Sequence, residues 1–234
     1  MNIAQFSLKS LILELRYPHA FRLWDSAGAI WTNATRRWPA LTLRDAVPNQ
    51  TRFTLGNKAE IGIHIDRAFV NVGASRVILD DFVPFCLFIV ETAIPLLEID
   101  TFTRVGFKST FVKEYKTMDD AVNDFHSTGM TKQIGGKCFG IEGKSDSPSV
   151  TIRVEGEYLG CATTLLVRRR TTRLDVQVIG DDDFEPVTKE HLELVYDCDY
   201  FTKGEMAVGQ LKASQWIEDA MHVIRRDSNV ILGG

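Results

Sequence analysis

The chain has 234 residues, of which 27 are basic and 31 acidic, giving a formal charge of -4 with 44% hydrophobic and 25% charged residues. This is ordinary globular composition, and it excludes both a highly charged disordered chain and bulk electrostatic attraction to nucleic acid or an anionic membrane. The length allows one large domain or two small ones.

The first predicted element is a strand over 11–17, ended by Pro18, which can open a helix at its first turn. Phe21, Trp24, Ile30, Trp31, Ala34 and Trp38 then recur near helical spacing, predicting a helix with an aromatic stripe that Pro39 stops. Strands follow over 41–47 and 52–55, a Gly56-Asn57 turn, and strands over 59–65 and 69–72. Capping residues and two carboxylates over 75–81 precede an apolar helix over 82–94, and Pro95 is expected to kink or end it against the carbonyl of Glu91. That segment falls short of the roughly 20 apolar residues of a membrane span. Residues 102–112 read as a strand and 118–126 as a short helix.

Six glycine or proline positions from Gly129 to Pro148 form the one composition shift, the place for any subdivision of the chain; it reads as a loop inside a single domain, 1–234. Beyond it the alternation predicts an antiparallel meander over 150–158, 161–169 and 172–179. The strand 191–201, HLELVYDCDYF, is the clearest signal of all: Leu192, Leu194, Tyr196, Cys198 and Tyr200 share one face, opposite His191, Glu193, Asp197 and Asp199. A closing amphipathic helix is expected over 206–224, its Trp216 side against that strand. The fold class is therefore α+β, a largely antiparallel sheet covered by about four helices. The order nearly repeats, which suggests two similar α+β halves, although no residue-level repeat accompanies it.

Cys86, Cys138, Cys161 and Cys198 form no CxxC pair and read as reduced, buried thiols of a cytoplasmic protein. The N-terminal apolar stretch, Leu11 to Leu13, is too short for a secretion signal. No phosphate loop or other cofactor motif exists, so no cofactor is expected.

Three groups offer chemistry. His191, Glu193, Asp197 and Asp199 could hold a divalent ion, as imidazole and carboxylates are suitable ligands, but they match no known ligand spacing, and a solvated sheet face is the plainer reading. Glu142 and Lys144 form an E-x-K pair of the kind metal-dependent nucleases use for a ligand and a transition-state cation; a charged strand end is the plainer reading. Arg168, Arg169, Arg170 and Arg173 are the one basic cluster, suited to phosphate or a partner's acid, or to protecting an exposed strand from aggregation. Gly233 and Gly234 read as a frayed end.

In the order LILELRY, FRLWDSAGAIW, LLEIDTFTRVGFKSTF and VYDCDYF followed by the Trp216 helix, the chain resembles a family of sporadically distributed, uncharacterised bacterial proteins of about this length. The resemblance implies a cytoplasmic α+β domain whose patchy occurrence looks like that of defence or toxin-antitoxin genes, and it brings no functional residues. The expectation is a non-catalytic binding protein with a protein partner, a subunit of a bacterial defence or antitoxin-like system. The alternatives are a metal-dependent hydrolase or nuclease, and a nucleic-acid-binding module.

Overall fold

A computed structural model describes residues 1–73, 78–131, 137–138, 141–142, 147–177 and 184–233, with the backbone alone over 137–138, 141–142, 173–177 and 184–187. In chain order the main elements are β1 (Ser7–Arg16), α1 (Leu23–Arg37), β2 (Thr42–Val47), β3 (Gln50–Leu55), β4 (Ala59–His64), β5 (Arg67–Gly73) and α2 (Leu79–Phe88). After these come β6 (Arg104–Tyr115), α3 (Met118–Ser127), β7 (Ser149–Glu155), β8 (Leu159–Gln177), β9 (Phe184–Thr202) and α4 (Ala213–Ile231). The nine strands form one antiparallel sheet in the order β7-β8-β9-β6-β1-β5-β4-β3-β2.

This order makes the near-repetition of the sequence concrete. In the first half β1 lies beside the last strand, β5, and the rest follow in reverse; in the second half β6 lies beside β9, then β8, then β7. The two leading strands, β1 and β6, pair with each other at the centre. Each half thus runs strand, helix, strands, helix.

Strand alternation gives the sheet one apolar and one polar face. Leu11, Leu13, Leu15, Val70, Phe53, Ile61, Phe107, Phe111, Leu165, Leu194 and Tyr196 point to the core face, where the helices lie. Each such burial contributes about 1.5–3 kcal/mol. Aromatic contacts tie the helices down: Trp31 of α1 lies 5.3 Å from Phe53, Trp38 stacks 4.5 Å from Phe85 of α2, and Trp216 of α4 lies 6.0 Å from Tyr200. The opposite face is open to solvent, as antiparallel sheets permit.

Several elements differ from the sequence expectation for identifiable reasons. The stripe of α1 runs through Leu23, Ile30 and Ala34, which leaves Phe21 and Trp24 exposed. The helix passes through a π-turn, Ile89–Ala93, and a last α turn, Ile94–Leu96, and so ends one residue after Pro95, in keeping with the expectation for that proline. The two strands expected at 161–169 and 172–179 are one uninterrupted strand, β8, because nothing between Arg169 and Thr172 supplies a turn residue. Arg168 to Arg170 therefore lie in mid-strand. The closing helix begins at Ala213, later than expected; Val208 and Leu211 belong to a short 3₁₀ turn and the stretch after it, and α4 runs on to Ile231. Gly233, at φ +76, follows the helix end, and a Cβ there would stand 3.4 Å from the Thr128 carbonyl oxygen; Gly234 lies outside the described residues.

Candidate functional site

On the open face, cross-strand register decides which charges meet. Arg168 of β8 stands directly opposite Glu193 of β9, and Glu193 stands opposite Glu114 of β6. Arg170 and His191 form the next pair along. Arg168 donates from Nε (3.2 Å) and Nη2 (2.7 Å) to one Glu193 oxygen, and Arg170 from Nε (3.3 Å) and Nη2 (3.1 Å) to the other. Glu193 is consequently 2% exposed although it lies on the polar face, so the expected solvated row is in fact closed at this point. Burial pushes its carboxyl up, but the hydrogen bonds and charges of the two arginines outweigh burial and hold it below the usual carboxylate range.

The predicted row divides along the strand. His191 and Glu193 are joined by Glu114, which sequence reasoning missed, and one ligand atom from each lies within 4.8 Å of the others. Asp197 instead accepts from Thr110 Oγ1 at 2.6 Å and lies 3.6 Å from Lys108. Asp199 takes both bonds of Arg104 Nη2, at 2.8 and 2.7 Å, while Nη1 of the same arginine reaches Glu14 at 3.1 Å. A divalent ion at Glu114, His191 and Glu193 would have to displace two guanidinium groups from Glu193 and sit beside Lys9, which lies 3.6 Å from Glu114. The donor types suit a metal; the surrounding cations do not.

The arginine cluster divides as well. Arg168 and Arg170 share the open face, Arg169 points to the other face opposite Leu192, and Arg173 pairs by backbone with Thr188, its side chain lying outside the described residues. Lys144 and the side chain of Glu142 also lie outside them.

Glycines shape the rest of this face. A Cβ on Gly160 would stand 2.6 Å from the ring of Phe201, its cross-strand partner, and one on Gly62 would stand 2.2 Å from the ring of Phe69, its own partner. Each aromatic ring thus lies flat over a glycine. The Phe201 ring is further covered by Arg104 and Arg153, whose guanidinium carbons lie 4.8 and 5.5 Å from its centroid.

The two edges of the sheet are unlike. Strand β2 carries a bulge between Leu43 and Asp45, a device that spoils pairing with another chain. Strand β7 is regular over its whole length. Gly156 N–H donates to Leu159 and Val167 N–H to Pro148, so the even-numbered residues of β7 bond to β8. The N–H and C=O groups of Ser149, Thr151, Arg153 and Glu155 therefore point outward. Among the described residues nothing pairs with them. Residues 137–138 and 141–142, which stand in the chain where β2 stands in the first half, pair with each other instead.

Beside this edge the described residues cover the core face incompletely. Helix α4 lies over β9, and between its flank and β7–β8 is an open cavity of about 320 Å³. Val154 and Leu159 on its wall are 63% and 41% exposed, and Tyr158, in the turn between β7 and β8, is also exposed. Cys161 and Cys198 line it with free thiols; a hydrogen bond from Cys198 lowers the Cys161 thiol, and the same bond, with burial, raises that of Cys198.

The sequence matches no protein-family model and no curated protein. Among the described residues no helix is long and apolar enough to cross a membrane.

Proposed function

We propose that the protein is a non-catalytic interaction protein that takes an extended segment of a partner protein as a tenth strand along β7. The observation that supports this most is the open strand position outside β7, which the first half of the fold fills with β2 and the second half leaves free among the described residues. Added strands bind through main-chain hydrogen bonds, and pockets beside the edge select their alternate side chains. Here four outward-facing residues supply the main-chain groups, and the exposed Val154, Tyr158 and Leu159 form the apolar surround. The charged groups of the open face fit this reading, since Glu193, Asp197 and Asp199 are each bound to neighbouring side chains. The resemblance to patchily distributed bacterial proteins adds the expectation that the partner belongs to a defence or antitoxin-like system.

Thr151→Pro provides the test. It removes one outward N–H and no bond between β7 and β8. Affinity capture from the native host should recover a protein that the wild-type chain holds and the folded variant loses by at least about tenfold. A partner retained equally by both, or no partner, contradicts the proposal.

A further inference from the structure

We propose that the pocket where the β7–β8 turn meets the end of β9 and the first turns of α4 binds a methylated ammonium group of the choline type, held by the faces of Tyr158, Tyr200 and Trp216 and by the charges of Glu205 and Asp219. This goes beyond the partner reading, because the pocket lies at the ends of the strands whereas an added strand would use the backbone edge of β7.

The walls come from segments that the backbone ties together. Lys203 N–H, just past β9, donates to the Tyr158 carbonyl at 2.8 Å and so fixes the β7–β8 turn against the end of β9. Trp216 and Asp219 stand an i, i+3 step apart on α4 and share one of its faces. With Tyr158, Tyr200 and Glu205 they line an open pocket of about 430 Å³, within the range of small-molecule sites. The half-buried rings of Tyr200 and Trp216 lie 6.0 Å apart, inclined at 39° to each other. Tyr158 is 70% exposed, and its hydroxyl is engaged by Glu157. Among the described residues no cation covers any of these three rings, unlike Trp38, Tyr115 and Phe201.

Charge decides what the rings would receive. Lys203, the cation at the wall, is already engaged: its Nζ lies 3.2 Å from Glu155 and donates to the Gly156 carbonyl at 3.1 Å. Glu205 and Asp219 have no cationic partner among the described residues, and Asp219 accepts from the neutral amide of Gln215 at 2.9 Å. Burial, Cys161 and then Asp219 push the Tyr200 phenol up, which keeps that ring neutral and puts the carboxylate within electrostatic reach of it. An anion entering here would meet two like charges. A primary ammonium is strongly hydrated and brings three donors that need acceptors. A trimethylammonium group carries the charge without donors, and the negative faces of aromatic rings attract it.

Choline chloride and its neutral isostere 3,3-dimethylbutan-1-ol, titrated into the full-length protein and followed at the Trp216 indole N–H by NMR, provide the test. Choline should move that signal saturably and bind at least about tenfold more tightly than the alcohol, as cation–π contacts beside two carboxylates would give. Ethanolamine, which lacks the methyl groups, should bind at least about fivefold more weakly than choline. Tyr158→Phe keeps the aromatic face and should bind choline within about twofold of wild type, whereas Tyr158→Leu should lose at least about threefold. Both changes are at an exposed side chain, so circular dichroism should stay unchanged. Asp219→Lys, on the exposed side of α4, should abolish choline binding and leave that of the alcohol unchanged. Absence of a saturable choline shift in the folded wild type overturns the proposal. So does equal binding of choline and either comparison compound, an equal loss in Tyr158→Phe and Tyr158→Leu, or choline binding that survives in a folded Asp219→Lys. These outcomes do not depend on capture of a protein partner, so the failure of either reading is seen separately.

Discussion

Replacing Glu193 by Gln tests the reading of the open face as a set of satisfied ion pairs. The side chain is 2% exposed and carries four hydrogen bonds from Arg168 and Arg170. Removing one member of a buried charge pair costs about 3–5 kcal/mol. Here the arginine side chains are 45% and 50% exposed, so water takes over part of their solvation, and glutamine keeps one acceptor; a loss of about 2 kcal/mol is expected. For a chain of this size that lowers the melting temperature by about 4–8 °C. The pH dependence is the sharper part. Because the native carboxyl is held below the ordinary glutamate value of about 4.3, its contribution is complete above that value and is lost as pH falls through the depressed native one. Glutamine cannot titrate. Urea unfolding followed by circular dichroism should therefore show a gap between wild type and variant that is constant from about pH 6 to 8 and narrows below about pH 4. A melting temperature within 1 °C of wild type, or a gap independent of pH, would refute the reasoning.

Other outcomes follow from the same geometry. Gly160→Ala places a Cβ 2.6 Å from the Phe201 ring, which Arg104 and Arg153 hold from above, so thermal melts should show a loss of about 1–3 kcal/mol. Gly62→Ala should cost less, since Phe69 is only half-buried and its ring can swing away. Zinc or manganese at millimolar concentration should leave the wild-type melting temperature within 1 °C, while Arg168→Ala/Arg170→Ala, which frees Glu193 beside His191 and Glu114, should become metal-responsive by several degrees; a metal-induced rise in the wild type would revive the hydrolase reading.

The strand 191–201 was legible in the sequence because its alternation needs no partner to be read: Leu194, Tyr196 and Cys198 are buried on the core face as the pattern requires. What the pattern could not carry was register. Glu193 looks like any exposed acid in a polar row until Arg168 and Arg170, more than twenty residues earlier, are brought opposite it, and Glu114 joins it only through the pairing of β9 with β6. The arginine run itself misled, since consecutive charges resemble a strand end, whereas β8 continues through them into a ribbon with β9 that outruns β6. The start of α4 was misplaced because Leu211, 8% exposed, is buried like a helical residue while lying outside the helix. The cavity and the free edge have no local signature at all: both follow from the order of strands across the sheet.

The most direct test of the central claim is residue-resolved hydrogen exchange of Ser149 to Glu155, with and without the captured partner. In the free protein the amides of Ile152 and Val154, bonded to β8, should be protected, while those of Thr151, Arg153 and Glu155 exchange quickly. The account predicts that the partner slows the second set at least tenfold and changes the first set little. A bound partner that leaves Thr151, Arg153 and Glu155 exchanging at their free rates would contradict it.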